Sequence, residues 1–306
     1  MSQRDHLVRC ITTDGTVTAM AVDSTMTIQT MQQLHDMSAV ASAALGRLMT
    51  GALLMGSVLK SSKASVTLRV NGRGPLGSLI AVADNQGNVR GYAEHPQVEL
   101  PLNARGKLDV GAAVGKNGVL NVVRDFGSGQ PYTGQIELVS GEIAEDLTEY
   151  YARSQQTPTV CALGVLTEKD GHDVVLAGGL LIQLLPMATE DAIEKLEKTL
   201  ATLEPVTTMM AKGMTAEEMC RRALEGFEVE LLDESPVHYG CNCSKERVAA
   251  AIGSLVPREI RQMIEEQGGA EAVCPYCTRK YTFTAEELEV LAVEREKTFG
   301  KKKKKI

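Results

Sequence analysis

Apolar and polar positions alternate over much of residues 1–178, and short runs rich in Gly, Asp and Asn separate the alternating stretches. The stretch LVRCITTDGTVTAMAV predicts a β-hairpin with its turn at Asp14 and Gly15. Similar turns are predicted at residues 85–88 and 170–171. A sheet with one buried face gives this alternation, so the pattern predicts a series of β-strands in this part of the chain.

Helical segments interrupt these strands at residues 29–60 and 142–154. The first contains an apolar stretch, residues 40–59, that is about as long as a membrane span. Arg47 lies inside that stretch and Ser, Thr and Gly residues dilute it, so we predict a helix buried in a protein core and no membrane role. Strands and helices mixed in this way predict an α+β core domain over residues 1–178.

Residues 179–235 are predicted to form a helical linker region, not an independent domain, and the helical pattern itself begins at residue 187. The stretch before it, residues 161–186, has the pattern of a β-hairpin. The apolar residues of segment 188–203 fall on one stripe of a helix. Thr215 and Glu218 have the spacing of a capping box and predict the start of a further helix. Methionine side chains adapt to varied apolar partners, so this linker is predicted to be the metastable element of the protein. Its methionines are Met187, Met209, Met210, Met214 and Met219.

Charge and composition exclude some classes of partner. The chain has 306 residues and a net charge of -7, and five of its positive charges lie in the lysine run at residues 301–305. Such an acidic body does not attract a phosphate backbone, so no nucleic-acid partner is predicted. The chain starts without the apolar run of a signal peptide, and its seven cysteines do not suggest a secreted disulfide framework, so a cytoplasmic location is expected. Residues 292–306 are predicted to be a disordered basic tail.

Two close pairs of cysteines lie in the last third of the chain, in the stretches YGCNCSKERV and AVCPYCTRKY. Cys241, Cys243, Cys274 and Cys277 supply four sulfur ligands, the set that a tetrahedral zinc site without an open position requires. A domain of fewer than about 70 residues seldom has enough apolar core to fold alone. We therefore predict that one zinc ion per chain holds a small domain, residues 236–291, in its folded form.

The same four cysteines have features of a redox switch. Within each pair the two sulfurs are close enough in sequence to form a local disulfide. Cations beside them in sequence favour the reactive thiolate form; these are Lys245, Arg247, Arg279 and Lys280. Structural zinc contributes about 10–16 kcal/mol of folding free energy, whereas a whole domain is stable by about 5–15 kcal/mol. Oxidation that removes zinc should therefore unfold the small domain.

Two other functions for these cysteines remain open at this point. The zinc site could be purely structural and serve an interaction module. Alternatively, the CPYC stretch could be the redox pair of a thiol oxidoreductase, although that chemistry uses a single pair at the start of a helix. A zinc ribbon that reads nucleic acid is disfavoured, because residues 241–289 contain six basic and eight acidic side chains.

The remaining cysteines have no close partner in the sequence. Cys10 and Cys161 lie in predicted strands and are expected to be buried apolar residues. Cys220 lies in a predicted helix of the linker.

Several stretches of the sequence together closely resemble one family. CNCSKERV and AVCPYCTRKYTF, with VRGYAEHP and YTGQIELVSGEIAEDLTEYY upstream, resemble the heat shock protein 33 family of redox-regulated chaperones. The resemblance extends over residues 6–291. One departure is at residues 154–156, Ser-Gln-Gln, where the family usually has Ser-Glu-Gln. The lysine run is a second departure.

The resemblance implies a specific function. Such a protein is an ATP-independent holdase and not an enzyme, and it is inactive while reduced and zinc-bound in the bacterial cytoplasm. Oxidants and unfolding stress would form the disulfides Cys241–Cys243 and Cys274–Cys277 and release zinc. The small domain and the linker would then unfold, the protein would bind unfolded or partly folded client proteins and tend to form a homodimer, and clients would later pass to ATP-dependent chaperones.

Overall fold

The computed structural model describes residues 5–169 and 172–303 of the chain. These divide into two compact units, with the boundary between Gly240 and Cys241. The predicted turn at residues 170–171 and the last part of the predicted tail, residues 304–306, lie outside the described residues.

In the described part of the larger unit, the predicted hairpin at Asp14 and Gly15 lies inside a five-stranded antiparallel sheet, called sheet A. The hairpin prediction is confirmed. Gly15 has a φ of 69°, a conformation that glycine adopts without strain. In spatial order the strands of sheet A are β10 (Val229–Pro236), β1 (His6–Thr12), β2 (Val17–Asp23), β9 (Val174–Leu184) and β8 (Thr159–Thr167).

A second sheet, sheet B, has six strands over the same described residues. Its neighbouring strands are antiparallel, except for the last short strand, which pairs in parallel with its neighbour. In spatial order they are β11 (His238–Tyr239), β5 (Asn88–Ala93), β4 (Leu79–Asp84), β3 (Ser65–Asn71), β6 (Val119–Asp125) and β7 (Tyr132–Glu137).

The segment predicted as helical at residues 29–60 forms two helices, α1 (Thr25–His35) and α2 (Ala39–Gly56). The chain turns between them at Asp36, which has a left-handed φ of 48°, and the Ser38 side chain accepts a hydrogen bond from the third amide beyond it to cap α2. Helix α2 packs against strands of both sheets. Because 89% of this apolar helix is buried, it is the core helix that the sequence predicted and not a membrane span.

Short helical segments complete the core of the larger unit. They are α3 (Val110–Val114), α4 (Ala144–Tyr150) and a π-helical turn (Tyr151–Gln155) that continues α4. The helix predicted at residues 142–154 is therefore confirmed. At the position where the family usually has Glu, the Gln155 side chain accepts a hydrogen bond from Arg124 at 2.8 Å and donates one to the Tyr150 hydroxyl at 3.2 Å.

The linker covers the face of sheet A opposite α2. Its helices are α5 (Glu190–Leu200), α6 (Val206–Ala211) and α7 (Ala216–Ala223). They form an apolar cluster with the sheet, in which Met209 and Met219 are fully buried, whereas Met187 remains 78% exposed. We call the part of sheet A beneath these helices the linker face.

Both ends of the predicted linker region are strands. Residues 179–184 belong to β9, which pairs with β8 as the hairpin pattern over residues 161–186 predicted. Residues 229–235 belong to β10, whose side chains are mostly exposed and whose backbone pairs with β1. Backbone pairing at a sheet edge leaves no apolar pattern in the sequence, which explains why β10 was not predicted.

The smaller unit has its own apolar cluster, around Ile260, Phe283, Leu288 and Ala292. Its elements are α8 (Lys245–Ile252), α9 (Pro257–Gln267), β12 (Gly269–Val273), β13 (Lys280–Thr284) and α10 (Ala285–Lys303). The predicted disordered tail at 292–306 began too early, because Ala292 is fully buried and α10 continues beyond it. Residues 238–239 form β11 and belong to the larger unit, not to the predicted small domain.

Candidate metal centre

Local structure fixes each cysteine pair in a short loop. Cys241 and Cys243 follow β11 and directly precede α8, whose start is capped by the Ser244 hydroxyl. Cys274 and Cys277 lie in the turn of the β12–β13 hairpin. That turn is closed because the amide of Thr278 donates to the Cys274 carbonyl at 2.9 Å, and Thr278 itself has a left-handed φ of 57°.

The four sulfur atoms meet. Cys241 Sγ lies 3.7 Å from Cys274 Sγ, and Cys243 Sγ lies 3.3 Å from Cys277 Sγ. All four lie within 4.8 Å of one another. A tetrahedral ion with Zn–S bonds of about 2.3 Å requires an S–S separation of about 3.8 Å, so the arrangement fits such an ion. We call these residues the four-cysteine centre.

The environment of the centre differs from one sulfur to the next. Burial raises the pKa of Cys241 to about 12. Burial acts in the same direction on Cys243, but hydrogen bonds from Tyr281 and the neighbouring thiols lower its pKa to about 7. The Tyr281 hydroxyl donates to Cys243 Sγ at 3.1 Å. Cysteine binds metals as the thiolate, so this donor stabilises the form of Cys243 that a metal requires.

The predicted cations beside the sulfurs have different partners. Arg279 interacts electrostatically with Cys243 and Cys277, as predicted for a group that favours thiolate. Lys245 and Lys280 instead form ion pairs with glutamates, at 2.6 Å and 3.0 Å. Arg247 donates to the carbonyl of Asn242, between the first two cysteines, at 3.0 Å and so supports the loop.

Sequence reasoning found the four sulfurs and missed Tyr281 as their hydrogen-bond partner. Tyr281 lies in β13, a few residues after the second cysteine pair, and this proximity in the chain was the available signal. Among the residues that the structure describes, the four-cysteine centre is the one cluster of His, Cys, Asp or Glu side chains that can hold a metal ion. Cys10, Cys161 and Cys220 are all buried, as expected for the first two.

The fold and this centre together define a class of protein with an α+β core, a linker packed on one sheet, and a separate small unit that can bind a metal through four thiols. Comparison with known proteins identifies the family. A sequence model described as Hsp33 protein matches residues 5–284. The chain belongs to the Hsp33 family, and the resemblance seen in the sequence is confirmed.

Its relatives match over nearly their full lengths. The 33 kDa chaperonin of Acetivibrio thermocellus is 44% identical, with 93% of this chain and 95% of that protein covered. The 33 kDa chaperonin of Bacillus subtilis is 45% identical, with coverage of 94% and 98%. The crystal structure of the 33 kDa chaperonin (heat shock protein 33 homolog) from Thermotoga maritima has a TM-score of 0.86 at 33% identity and covers 96% of this chain and 100% of that one.

Membership of this family determines the general function. Hsp33 proteins are redox-regulated holdases of bacteria, chaperones that bind unfolded client proteins. The chain is accordingly a stress-response chaperone and not an enzyme, so the oxidoreductase alternative is not supported.

Proposed function

We propose that the chain is an inactive holdase while Cys241, Cys243, Cys274 and Cys277 bind one zinc ion in the reduced state. The observation that supports this most directly is the sulfur geometry, with contacts of 3.7 Å and 3.3 Å close to the edge of a zinc–thiolate tetrahedron. Zinc bound here would hold the two cysteine loops together and would have no open position for a substrate.

Oxidation by a peroxide would convert the four thiolates into two disulfides. Each disulfide forms from two thiolates, one hydrogen peroxide and two protons, and two water molecules leave, so two electrons pass from sulfur to the peroxide oxygens. Disulfide sulfurs are poor zinc ligands, and the centre then no longer binds the ion. Three of the cysteines are partly exposed, which gives a small oxidant access.

The expected pairing is Cys241 with Cys243 and Cys274 with Cys277. In the folded unit, sulfur contacts of 3.7 Å and 3.3 Å join Cys241 to Cys274 and Cys243 to Cys277, across the two pairs. Once the unit has unfolded, the entropy of loop closure favours cysteines close together in sequence. Local pairing therefore indicates that unfolding accompanies oxidation, whereas cross-pairing would indicate oxidation of the folded centre.

Loss of the metal should unfold the smaller unit. Among its described residues only four apolar side chains are well buried. That core is small beside the roughly 10–16 kcal/mol that structural zinc contributes.

The helical part of the linker, α5 to α7, is proposed to be the element that then detaches. Its helices α5 to α7 rest on the linker face through one apolar cluster, separate from the cluster around α2. Detachment of these helices would expose the small apolar residues of that face together with flexible methionines such as Met209 and Met219. This surface is the proposed client-binding site.

Three further properties belong to the same proposal. The oxidised protein forms a homodimer, because a newly exposed apolar face is buried by a second copy as readily as by a client. Clients are later transferred to ATP-dependent chaperones. The protein acts in the cytoplasm, where thiols are kept reduced until an oxidant arrives.

The test is light scattering from an aggregating, chemically unfolded client without ATP. The full-length protein is assayed reduced and zinc-loaded, or after peroxide treatment at raised temperature, while released zinc is measured with a colorimetric chelator. We expect suppression only by the oxidised form, with about one zinc released per chain. The matched control Cys161→Ala should behave like the unaltered protein, whereas Cys274→Ala should lose zinc binding. Equal suppression in both redox states would leave the centre with a structural role only.

A further inference from the structure

Two cysteines outside the four-cysteine centre meet across the interface between the linker and sheet A. Cys10 lies in β1 and Cys220 lies in α7, and both are 0% exposed. The Cys220 thiol donates to the carbonyl of Val8, two residues before Cys10 in β1, at 3.8 Å, and both cysteines belong to one apolar cluster. The interaction between the two thiols lowers the pKa of Cys10 and raises that of Cys220. Two segments far apart in the sequence thus bring two buried thiols close together.

Small residues make this close approach possible. In the sheet, Cys10 lies opposite Ala19 of β2, and the neighbouring pair on the same face includes Ala21. On α7, Ala216 and Ala223 share the buried face with Cys220. Alanine side chains hold a helix close to a sheet, and a disulfide requires Cβ atoms only about 3.5–4.5 Å apart.

Cys161 provides an internal comparison. It is 9% exposed and lies in β8, in the cluster on the opposite side of sheet A. Burial alone raises its pKa to about 12, with no contribution from a second thiol. Burial is therefore common to all three cysteines of the larger unit, whereas the thiol–thiol contact distinguishes Cys10 and Cys220.

We propose that Cys10 and Cys220 are a second redox site, whose disulfide fastens α7 to β1 and keeps the linker on the linker face. Its effect on activity rests on the proposed function, in which the linker detaches. With a peroxide as oxidant, one thiol takes an oxygen atom to become a sulfenic acid and releases water. The other thiol then attacks that sulfur, the S–O bond breaks, and a second water leaves with the disulfide formed.

The burial of both sulfurs sets the order of events. An oxidant reaches this pair only when α7 moves away from the sheet, whereas the four-cysteine centre is already partly exposed. Gly213 and Gly226 lie on either side of α7 with φ of 85° and 89°, so the chain can change direction there without strain. A sulfenic acid formed during such an opening would be captured by the other thiol when α7 returns. The pair therefore responds after the centre and limits the release of the linker.

The first measurement is the disulfide itself. Full-length, reduced, zinc-loaded protein is treated with peroxide over a range of temperatures, alkylated, digested without reduction and examined by mass spectrometry. We expect a cross-linked peptide containing Cys10 and Cys220, its loss in Cys10→Ala and Cys220→Ala, and a free thiol at Cys161 throughout. Cys10 and Cys220 remaining free while the centre becomes oxidised would overturn the proposal. This measurement on the unaltered protein does not depend on how well any variant folds.

The second measurement is activity. Protein that contains the Cys10–Cys220 disulfide is separated from protein that lacks it. It is then compared with Cys220→Ala, with the four-cysteine centre oxidised in both, for its ability to suppress client aggregation. We expect the cross-linked protein to suppress aggregation less well. Suppression should recover when its disulfides are reduced and the centre alone is reoxidised. Cys161→Ala should suppress aggregation as well as the unaltered protein. Equal suppression would overturn the fastening role. Absence of suppression in Cys220→Ala despite an oxidised centre would instead contradict the proposed function, while the cross-linked peptide still decides the second redox site.

Discussion

Gly164 of β8 lies directly beneath the linker, and Gly164→Ala should loosen the linker without altering the four-cysteine centre. A Cβ atom at this position would lie 2.7 Å from Thr207 Cγ2 and 3.3 Å from the Thr207 amide nitrogen. Both atoms belong to α6, and no residue of the α2 core lies among the nearest contacts. The added methyl group therefore acts against the docked linker.

The size of the effect follows from the steric overlap. Overpacking of a tight site costs about 1–3 kcal/mol. Because β8 stays folded when the linker is released, the backbone entropy of residue 164 is the same in both states and does not offset this cost. We expect docking of α6 to weaken by about 1–3 kcal/mol, which raises the released fraction roughly 5- to 150-fold.

Amide hydrogen exchange in the reduced, zinc-loaded protein measures this fraction, with the strands of sheet B as an internal reference. Exchange in α6 should accelerate by the same factor while sheet B is unchanged. Thr207→Ser removes the clashing Cγ2 atom, so Gly164→Ala/Thr207→Ser should return to the exchange rate of Thr207→Ser alone. Unchanged exchange in Gly164→Ala, or failure of the second substitution to restore it, would refute the steric argument.

Three further predictions concern the edge strand, the metal and its hydrogen-bond donor. The hydrogen bond from Arg9 lowers the pKa of Asp233, so their ion pair stabilises the folded state above pH 3.8. This contribution is lost as the pH falls through the lowered pKa of Asp233. Asp233→Asn should therefore make acid unfolding of the β1–β10 pair less steep, as followed by circular dichroism. A zinc chelator added to reduced protein should unfold the smaller unit and leave sheet B protected from hydrogen exchange; loss of protection in both units would contradict the separate cores. Tyr281→Phe removes the hydroxyl that donates to Cys243 and should weaken zinc binding about 10- to 100-fold in competition with a chelator; unchanged affinity would show that this hydrogen bond is dispensable.

The sequence and the structure agree best where the determining residues are close together in the chain. The spacing of the cysteine pairs was enough to predict the centre, because each pair lies in one short loop. The Asp14–Gly15 hairpin was predictable for the same reason. The strand β10 was not, since its exposed side chains carry no pattern and its position depends on pairing with β1. The meeting of Cys10 with Cys220 likewise depends on tertiary packing that brings distant segments together.

Two independent features bear on the proposed release of the linker, and separating them would locate the client-binding surface. The proposed zinc ion would stabilise the smaller unit, which follows the linker in sequence, whereas small residues such as Ala19 and Gly164 let the linker helices rest on sheet A. Gly164→Ala weakens only the second. If that variant suppresses client aggregation while reduced and zinc-loaded, exposure of the linker face is sufficient for binding. If suppression still requires oxidation although α6 exchanges faster, unfolding of the smaller unit supplies the surface, and the linker face is not the client-binding site.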